Sequence, residues 1–323
     1  MATQNSDIPS TSVVEIATNG DVILVVGPEE KRLQVCSSVL KNASKYFKNM
    51  FGPHFSEGQD LTTSSPKEIP MPEDDANVLE IICNIIHLRN DDVPEAVSPT
   101  KALGLAVAAD KFECVVAVKH ASTLWLKPRE VQDITELGRL VAAAYILDST
   151  RAFSDITLCM VLHHKDSYLS LAGEDLGLDE SVVWHVIYLL EERRSQMHVA
   201  LQHMLLDGST DAGSDYEPQC TCGWSGQHCL AYIGLLRTNN LWPSNMADIT
   251  ISQVMEKINV MGDPTLGNGW AQCGYRWHRT TEYGRMRKYR LDSMQRSNGV
   301  CIDCVRSRAT ATKRNCRIKH NSK

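Results

Sequence analysis

The stretch "GDVILVVGPEEKRLQV", residues 20–35, limits this chain more than any other feature. Two short segments, the first strongly β-branched, flank "GPEEK", a five-residue connection containing Gly27 and Pro28, the composition of a hairpin turn. A glycine turn after a strand can instead cradle a phosphate. That use needs further glycines, so that backbone N–H groups at a helix N-terminus can approach a pyrophosphate. Here Gly27 is followed by Pro28, Glu29 and Glu30, and their two carboxylates would repel one. The stretch reads as a hairpin.

After it, "CSSVLKNASKYFKNMF" sets Val39, Leu40, Ser44, Phe47, Met50 and Phe51 near helical spacing, and the polar "KNAS" step divides the run into two short helices. "KEIPMP" reads as a short strand ending in proline. "ANVLEIICNIIH" puts Val78, Ile81, Ile82, Ile85 and Ile86 on one helical face. "TKALGLAVAADKFECVVAVKHASTLWL" yields two more helices, the first lined by Leu105, Ala108, Ala109, Phe112, Val115 and Val116. Pro128 closes the unit.

This order of elements resembles the BTB/POZ domain. "GDVILVV" has Asp21 opening the first strand, "VLKNASKYFKNMF" stands for the family's leucine–serine–tyrosine–phenylalanine helix pair, and "KEIPMP" follows. The resemblance covers residues 17–126. One departure is Cys36, where the family usually has a histidine before the first short helix. The resemblance implies an α+β fold, a short sheet with a helical bundle, that acts as a homodimeric scaffold for protein–protein interaction. It further implies that such a protein can recruit substrates to a cullin-type ubiquitin ligase. The family's hydrophobic–x–Glu contact is matched by Phe55-Ser56-Glu57 in "MFGPHFSEGQ". Phe55 would fill an apolar pocket on the cullin and Glu57 would add a polar contact at its edge.

The remainder divides by composition. Residues 1–16 read as a disordered lead, rich in Ser, Thr, Asn and Asp. Residues 127–206 are a helical extension, in which "VQDITELGRLVAAAYIL" repeats Ile134, Leu137 and Val141. A long amphipathic helix follows, with Leu190, Met197, Leu201, Met204 and Leu205 on one stripe. "DGSTDAGSDYEPQ", 207–219, reads as a linker. Residues 220–323 then form a small Cys/His-rich region with a basic tail. Residues 212–323 carry 16 Lys/Arg and 8 Asp/Glu, a net of +8, and the first 211 carry 17 and 31, a net of −14. An acidic body with a basic end suggests two domains with different partners.

Seven of the eleven cysteines crowd that last third. The N-terminus lacks a basic n-region and an apolar h-region, and no apolar run approaches the roughly 18–20 residues of a membrane span. An intracellular protein, of cytoplasm or nucleus and without membrane partners, is expected. In that setting cysteines serve as thiols or metal ligands rather than disulfides. "CGYRWH" gives Cys273 and His278, and "GVCIDC" gives Cys301 and Cys304. A Cys-x-x-Cys turn brings two thiolates to one tetrahedral ion and a second pair closes the site, so zinc on Cys273, His278, Cys301 and Cys304 is the preferred reading. Cys220, Cys222 and Cys229 could form part of a second site or replace one member. Reduced thiols without a metal are the alternative. The segment Gly299–Cys304, with Leu241–Pro243 upstream, resembles a Cys-bearing C-terminal region of fungal BTB-containing proteins.

Two rival patterns share this end. Cys301-x2-Cys304-x11-Cys316-x3-His320 approximates the spacing of a DNA-binding finger, but "VRSRATATKRN" between the pairs lacks the aromatic and leucine that would build the finger's core. The tail residues Arg306, Arg308, Lys313, Arg314, Arg317 and Lys319 could form a nuclear-localisation signal, a phosphate-contacting arm or a solvated tail. A nuclear regulator binding nucleic acid through this end is therefore the alternative function. No H-E-x-x-H, P-loop or G-x-S-x-G pattern is present, and no enzymatic activity is expected. Adjacent His163 and His164 cannot share one face of a helix or strand and read as surface residues.

Overall fold

The computed structural model describes residues 12–128, 133–210, 223–242, 246, 248–266, 283–307 and 316–318. The chain forms two compact units, one of residues 1–131, 136–153 and 175–178, the other of residues 132–135, 154–174 and 179–323.

In the first unit, strands β1 (Val14–Glu15), β2 (Val22–Val26), β3 (Lys31–Val35) and β4 (Lys67–Met71) make one sheet in the order β1-β3-β2-β4. β2 and β3 are the hairpin, antiparallel with Val22 opposite Val35 and Leu24 opposite Leu33. Its turn is closed by Glu30 N–H donating to Gly27 O at 3.1 Å, and Gly27 sits at φ 72°, a left-handed conformation that glycine adopts without a Cβ clash. β4 runs parallel to β2, and Pro70 lies inside it because β4 is an edge strand. β1 falls within the segment read as a disordered lead. Val14 and Glu15 pair in parallel with Leu33 and Gln34, and a two-residue strand is too short for periodicity to reveal. The alternation along β2 buries Val22, Leu24 and Val26 completely, with Leu33, Val35 and Ile69 on the same side.

Helix α1 (Ser37–Ala43) begins against Asp21, whose carboxylate accepts from Ser37 N–H at 2.7 Å and from Ser37 Oγ at 2.6 Å. Asp21 thereby caps from the adjacent strand a helix whose own cap position, Cys36, offers no side-chain acceptor. Ser44 separates α1 from α2 (Lys45–Met50): its hydroxyl accepts from Phe47 N–H at 3.0 Å and donates to Phe112 O at 2.5 Å. Phe47 and Phe112 are fully buried and stack with centroids 5.3 Å apart, and Phe51 and Tyr46 pack on the pair. α3 (Ala76–Ile86), capped by Asp75, is buried on nearly all sides rather than on one face. It is a central helix. α4 (Pro99–Lys111) and α5 (Val115–Trp125) follow. Val116, assigned to the buried lining, is instead 84% exposed. The helix stops at Lys111, Glu113 takes φ 48°, and the new helix starting at Val115 has a different inward face.

Cys36 stands where the resembled family usually has a histidine, and here a histidine from elsewhere meets it. Cys36 N–H donates to His87 Nε2 at 3.0 Å, while His87 Nδ1 lies 2.8 Å from Cys83 O. A carbonyl can only accept, so Nδ1 carries the proton and Nε2 is the bare acceptor: the ring is neutral. Burial lowers its pKa below the ordinary 6.5, partly opposed by the bond to Cys83.

α6 (Ile134–Ile146) and α7 (Thr150–His163) lead to the second unit, whose longest element is α8 (Glu180–Thr210). The α8 stripe Leu190, Met197, Leu201, Met204 and Leu205 is buried, and α9 (Trp224–Thr238), α10 (Ile251–Val260), α11 (Tyr283–Gln295) and α12 (Ile302–Ser307) all pack against α8. α8 runs through Thr210, four residues into the stretch read as a linker; residues 211–219 lie outside the described ones. Tyr232 is fully buried and its hydroxyl donates to Leu205 O at 2.7 Å. Arg287, also buried, uses Nη2 on Met261 O and Asp263. Of the paired histidines, His163 is exposed, but His164 brings its ring within 5.3 Å of the Tyr168 ring.

The His87 arrangement has a pH signature. The unfolded imidazole protonates near 6.5 and the folded one only below that, so the unfolded state binds more protons in the interval. His87's contribution is complete above that range and is lost as pH falls through the lowered value. Replacing His87 by Gln should cost about 1–2 kcal/mol at pH 8, the scale of one partly buried hydrogen bond. It should also flatten part of the acid-side decline in urea midpoint, and parallel pH profiles for the two proteins would disprove this account.

Candidate interaction loop and thiol cluster

Between α2 and β4 the chain carries Phe55, Ser56 and Glu57, with a short 3-10 turn at Ser56–Gly58. The segment is pinned at both ends. A Cβ on Gly58 would lie 2.4 Å from Gly52 O and 2.5 Å from the Phe51 carbonyl carbon, so only glycine permits this approach to the end of α2. Lys67 of β4 donates to Ser56 O and, at 3.1 Å, to Gln59 O. Phe55 is 53% exposed on this anchored loop, and Glu57 is half-buried with its carboxylate accepting from Ser56 Oγ at 3.1 Å. The ring thus faces solvent from a fixed base.

At the other end of the chain, Cys301, Cys304 and Cys316 bring their sulfurs within 4.8 Å of one another. Cys304 Sγ and Cys316 Sγ are 3.7 Å apart, far beyond the roughly 2.05 Å of a disulfide. Thiolates about 2.3 Å from one tetrahedral zinc lie about 3.8 Å from each other. The donor set fits such an ion. Burial, then the neighbouring Cys301 and Cys316, push the Cys304 thiol up to about 12, so without a cation it stays protonated. A bound cation reverses that balance.

The structure brings Cys301 and Cys304 together, and joins to them Cys316, which the sequence offered only in the rival finger spacing. Cys273, His278, Cys220 and Cys222 lie outside the described residues, and Cys229, half-buried on α9, is not part of the cluster. Cys316 is delivered by its own neighbour. Arg317 N–H donates to Asp303 Oδ2 at 2.8 Å, and its guanidinium bonds Asp303 Oδ1 at 2.7 and 3.0 Å. That hydrogen bonding holds the Asp303 carboxyl below the usual carboxylate range. Arg317, counted among the cations of the tail, therefore pairs its charge with Asp303 while remaining exposed.

The cluster stands on a docked segment. Gly299 N–H donates to Ser154 Oγ at 3.0 Å, Val300 N–H to Thr157 Oγ1 at 2.9 Å, and Arg193 donates to Ser297 Oγ and Asn298 O. Val300, Ile302 and Val305 are buried around the cysteines. A Cβ on Gly299 would lie 2.2 Å from Ser154 O and 2.6 Å from Leu158 N, which explains the glycine opening "GVCIDC". Gly299→Ala should therefore destabilise this docking by at least about 1–3 kcal/mol, the usual scale of overpacking. Amide exchange over 300–305 should accelerate in that variant; unchanged protection would show that the close approach does not hold in solution.

Among the described residues, no helix is long and apolar enough to cross a membrane. No curated protein matches the chain. Residues 15–127 match the family model of the BTB/POZ domain. The hairpin, the Ser44-divided helix pair, the parallel edge strand and the buried central helix all lie within that span. Residues 15–127 of this chain are a BTB/POZ domain, a module of protein–protein interaction.

Proposed function

We propose that the protein is a BTB-mediated scaffold, self-associating as a homodimer and acting as a substrate adaptor for a cullin-type ubiquitin ligase. The observation that carries the adaptor reading is Phe55, 53% exposed on a loop fixed by Gly58 and Lys67. A pre-positioned aromatic side chain loses little conformational freedom on docking, which is how a single ring becomes an anchor in an apolar pocket. Glu57, next to it and half-buried, supplies the polar contact at the rim.

In the same reading the C-terminal region holds zinc, with Cys301 and Cys304 as one ligand pair and Cys273 and His278 as the preferred companions. A structural zinc ion contributes folding free energy directly, on the order of 10–16 kcal/mol in small zinc domains. The chain's own residues supply the rest: Gly299 and Val300 fix the pair to α7, and Asp303 holds Arg317, the neighbour of Cys316. Loss of zinc is expected to loosen the C-terminal region and leave the BTB domain folded.

Phe55→Ala should reduce capture of a purified cullin N-terminal domain by at least about tenfold, since buried interface aromatics carry about 2 kcal/mol or more. Its circular dichroism should match the parent protein, because Phe55 is exposed and lies in a loop outside the buried core. Equal capture by parent and variant would remove the adaptor reading. Light scattering across a dilution series tests self-association separately: a monomer mass at every concentration would contradict the homodimer.

A further inference from the structure

We infer that Cys316 is the third thiolate ligand of the C-terminal metal site, completing a Cys301–Cys304–Cys316 face that takes a soft or borderline cation of the zinc type. This rests on the zinc reading above and assigns a ligand outside the four residues named there.

Three observations converge. The first is spacing. All three sulfurs lie within 4.8 Å of one another, and the 3.7 Å separation of Cys304 and Cys316 matches a tetrahedral edge of about 3.8 Å. The second is delivery. Asp303 sits between Cys301 and Cys304 and binds the backbone N–H and guanidinium of Arg317, so Cys316 is brought to the pair by contacts that involve no sulfur. The third is setting. Cys301 and Cys304 are buried beside Val300, Ile302 and Val305, while Cys316 is only half-buried, which leaves an entry path from solvent.

The donor chemistry selects the ion. Three thiolates suit zinc and disfavour calcium or magnesium, which take oxygen ligands. They leave one tetrahedral place for a fourth donor. The finger-like spacing that lacked a core is thereby reinterpreted. Its first three positions are used, but the apolar support comes from docking onto α7 and α8 rather than from a self-contained finger.

The test uses the full chain, reduced, stripped with chelator and reloaded with Zn²⁺ or Co²⁺. The parent protein should bind zinc tightly and show sulfur-to-cobalt charge-transfer absorption. Cys301→Ser and Cys316→Ser should each weaken zinc in chelator competition by at least about tenfold, the scale seen when even an outer partner of a ligand is removed. Cys316→His, which restores a donor, should recover binding with weaker charge-transfer absorption. Cys229→Ser should behave like the parent. If Cys316→Ser retains parental affinity and absorption, Cys316 is not a ligand and the metal site stands with other donors. Failure of Cys316→His to recover binding would also count against the assignment. A parent chain that binds neither ion overturns the zinc reading itself, and this inference with it.

Discussion

A single hydroxyl organises the BTB domain. Ser44 ends α1, starts α2 and reaches across 68 positions of sequence to donate to the Phe112 carbonyl. Because the group is buried, each of its bonds replaces water that cannot be there, and an unpaired partner would cost on the order of 1–3 kcal/mol. Its placement sets the angle between the short helices and so presents Phe47 to Phe112, around which the aromatic cluster forms. Asp21 performs the corresponding service at the start of α1, fixing it to the sheet. Sheet, helix pair and α4 are thus joined by polar contacts before the apolar core is counted.

The two units use close backbone approach in the same way. Gly58 lets the Phe55 loop lie against the end of α2, and Gly299 lets the cysteine-bearing segment lie against α7. In each case the residue with no side chain decides where its neighbours' side chains can act. Hydrogen bonds then lock the position, from Lys67 in one case and from Ser154, Thr157 and Arg193 in the other.

Much of the fold was legible in residue pattern. The hairpin followed from β-branched runs around a Gly-Pro turn, the helix break from "KNAS", and the α8 stripe from its period. These are local signals. What escaped is non-local or too short to carry a period. β1 is two residues long, and His87 meets Cys36 from 51 positions away. Cys316 was set aside because its own neighbourhood is polar; the apolar support lies in Val300, Ile302 and Val305 and in the helices beneath them. Phe55 and Glu57 stood out by resemblance, but nothing in their own spacing announced the anchoring role of Gly58 and Lys67.

Pro70 has a consequence for assembly. In β4, Lys67 N–H donates to Asp21 O and Met71 O accepts from Gly27 N–H, so the odd-numbered residues face β2 and Pro70 faces the open margin. A further strand laid along that margin would meet a pyrrolidine ring where it needs a donor. Pro70 thereby blunts side-by-side stacking of chains through β4 into an endless ribbon. Copies that meet on this side are favoured to do so through side-chain surfaces, and such unions can close on themselves and stop at a finite number.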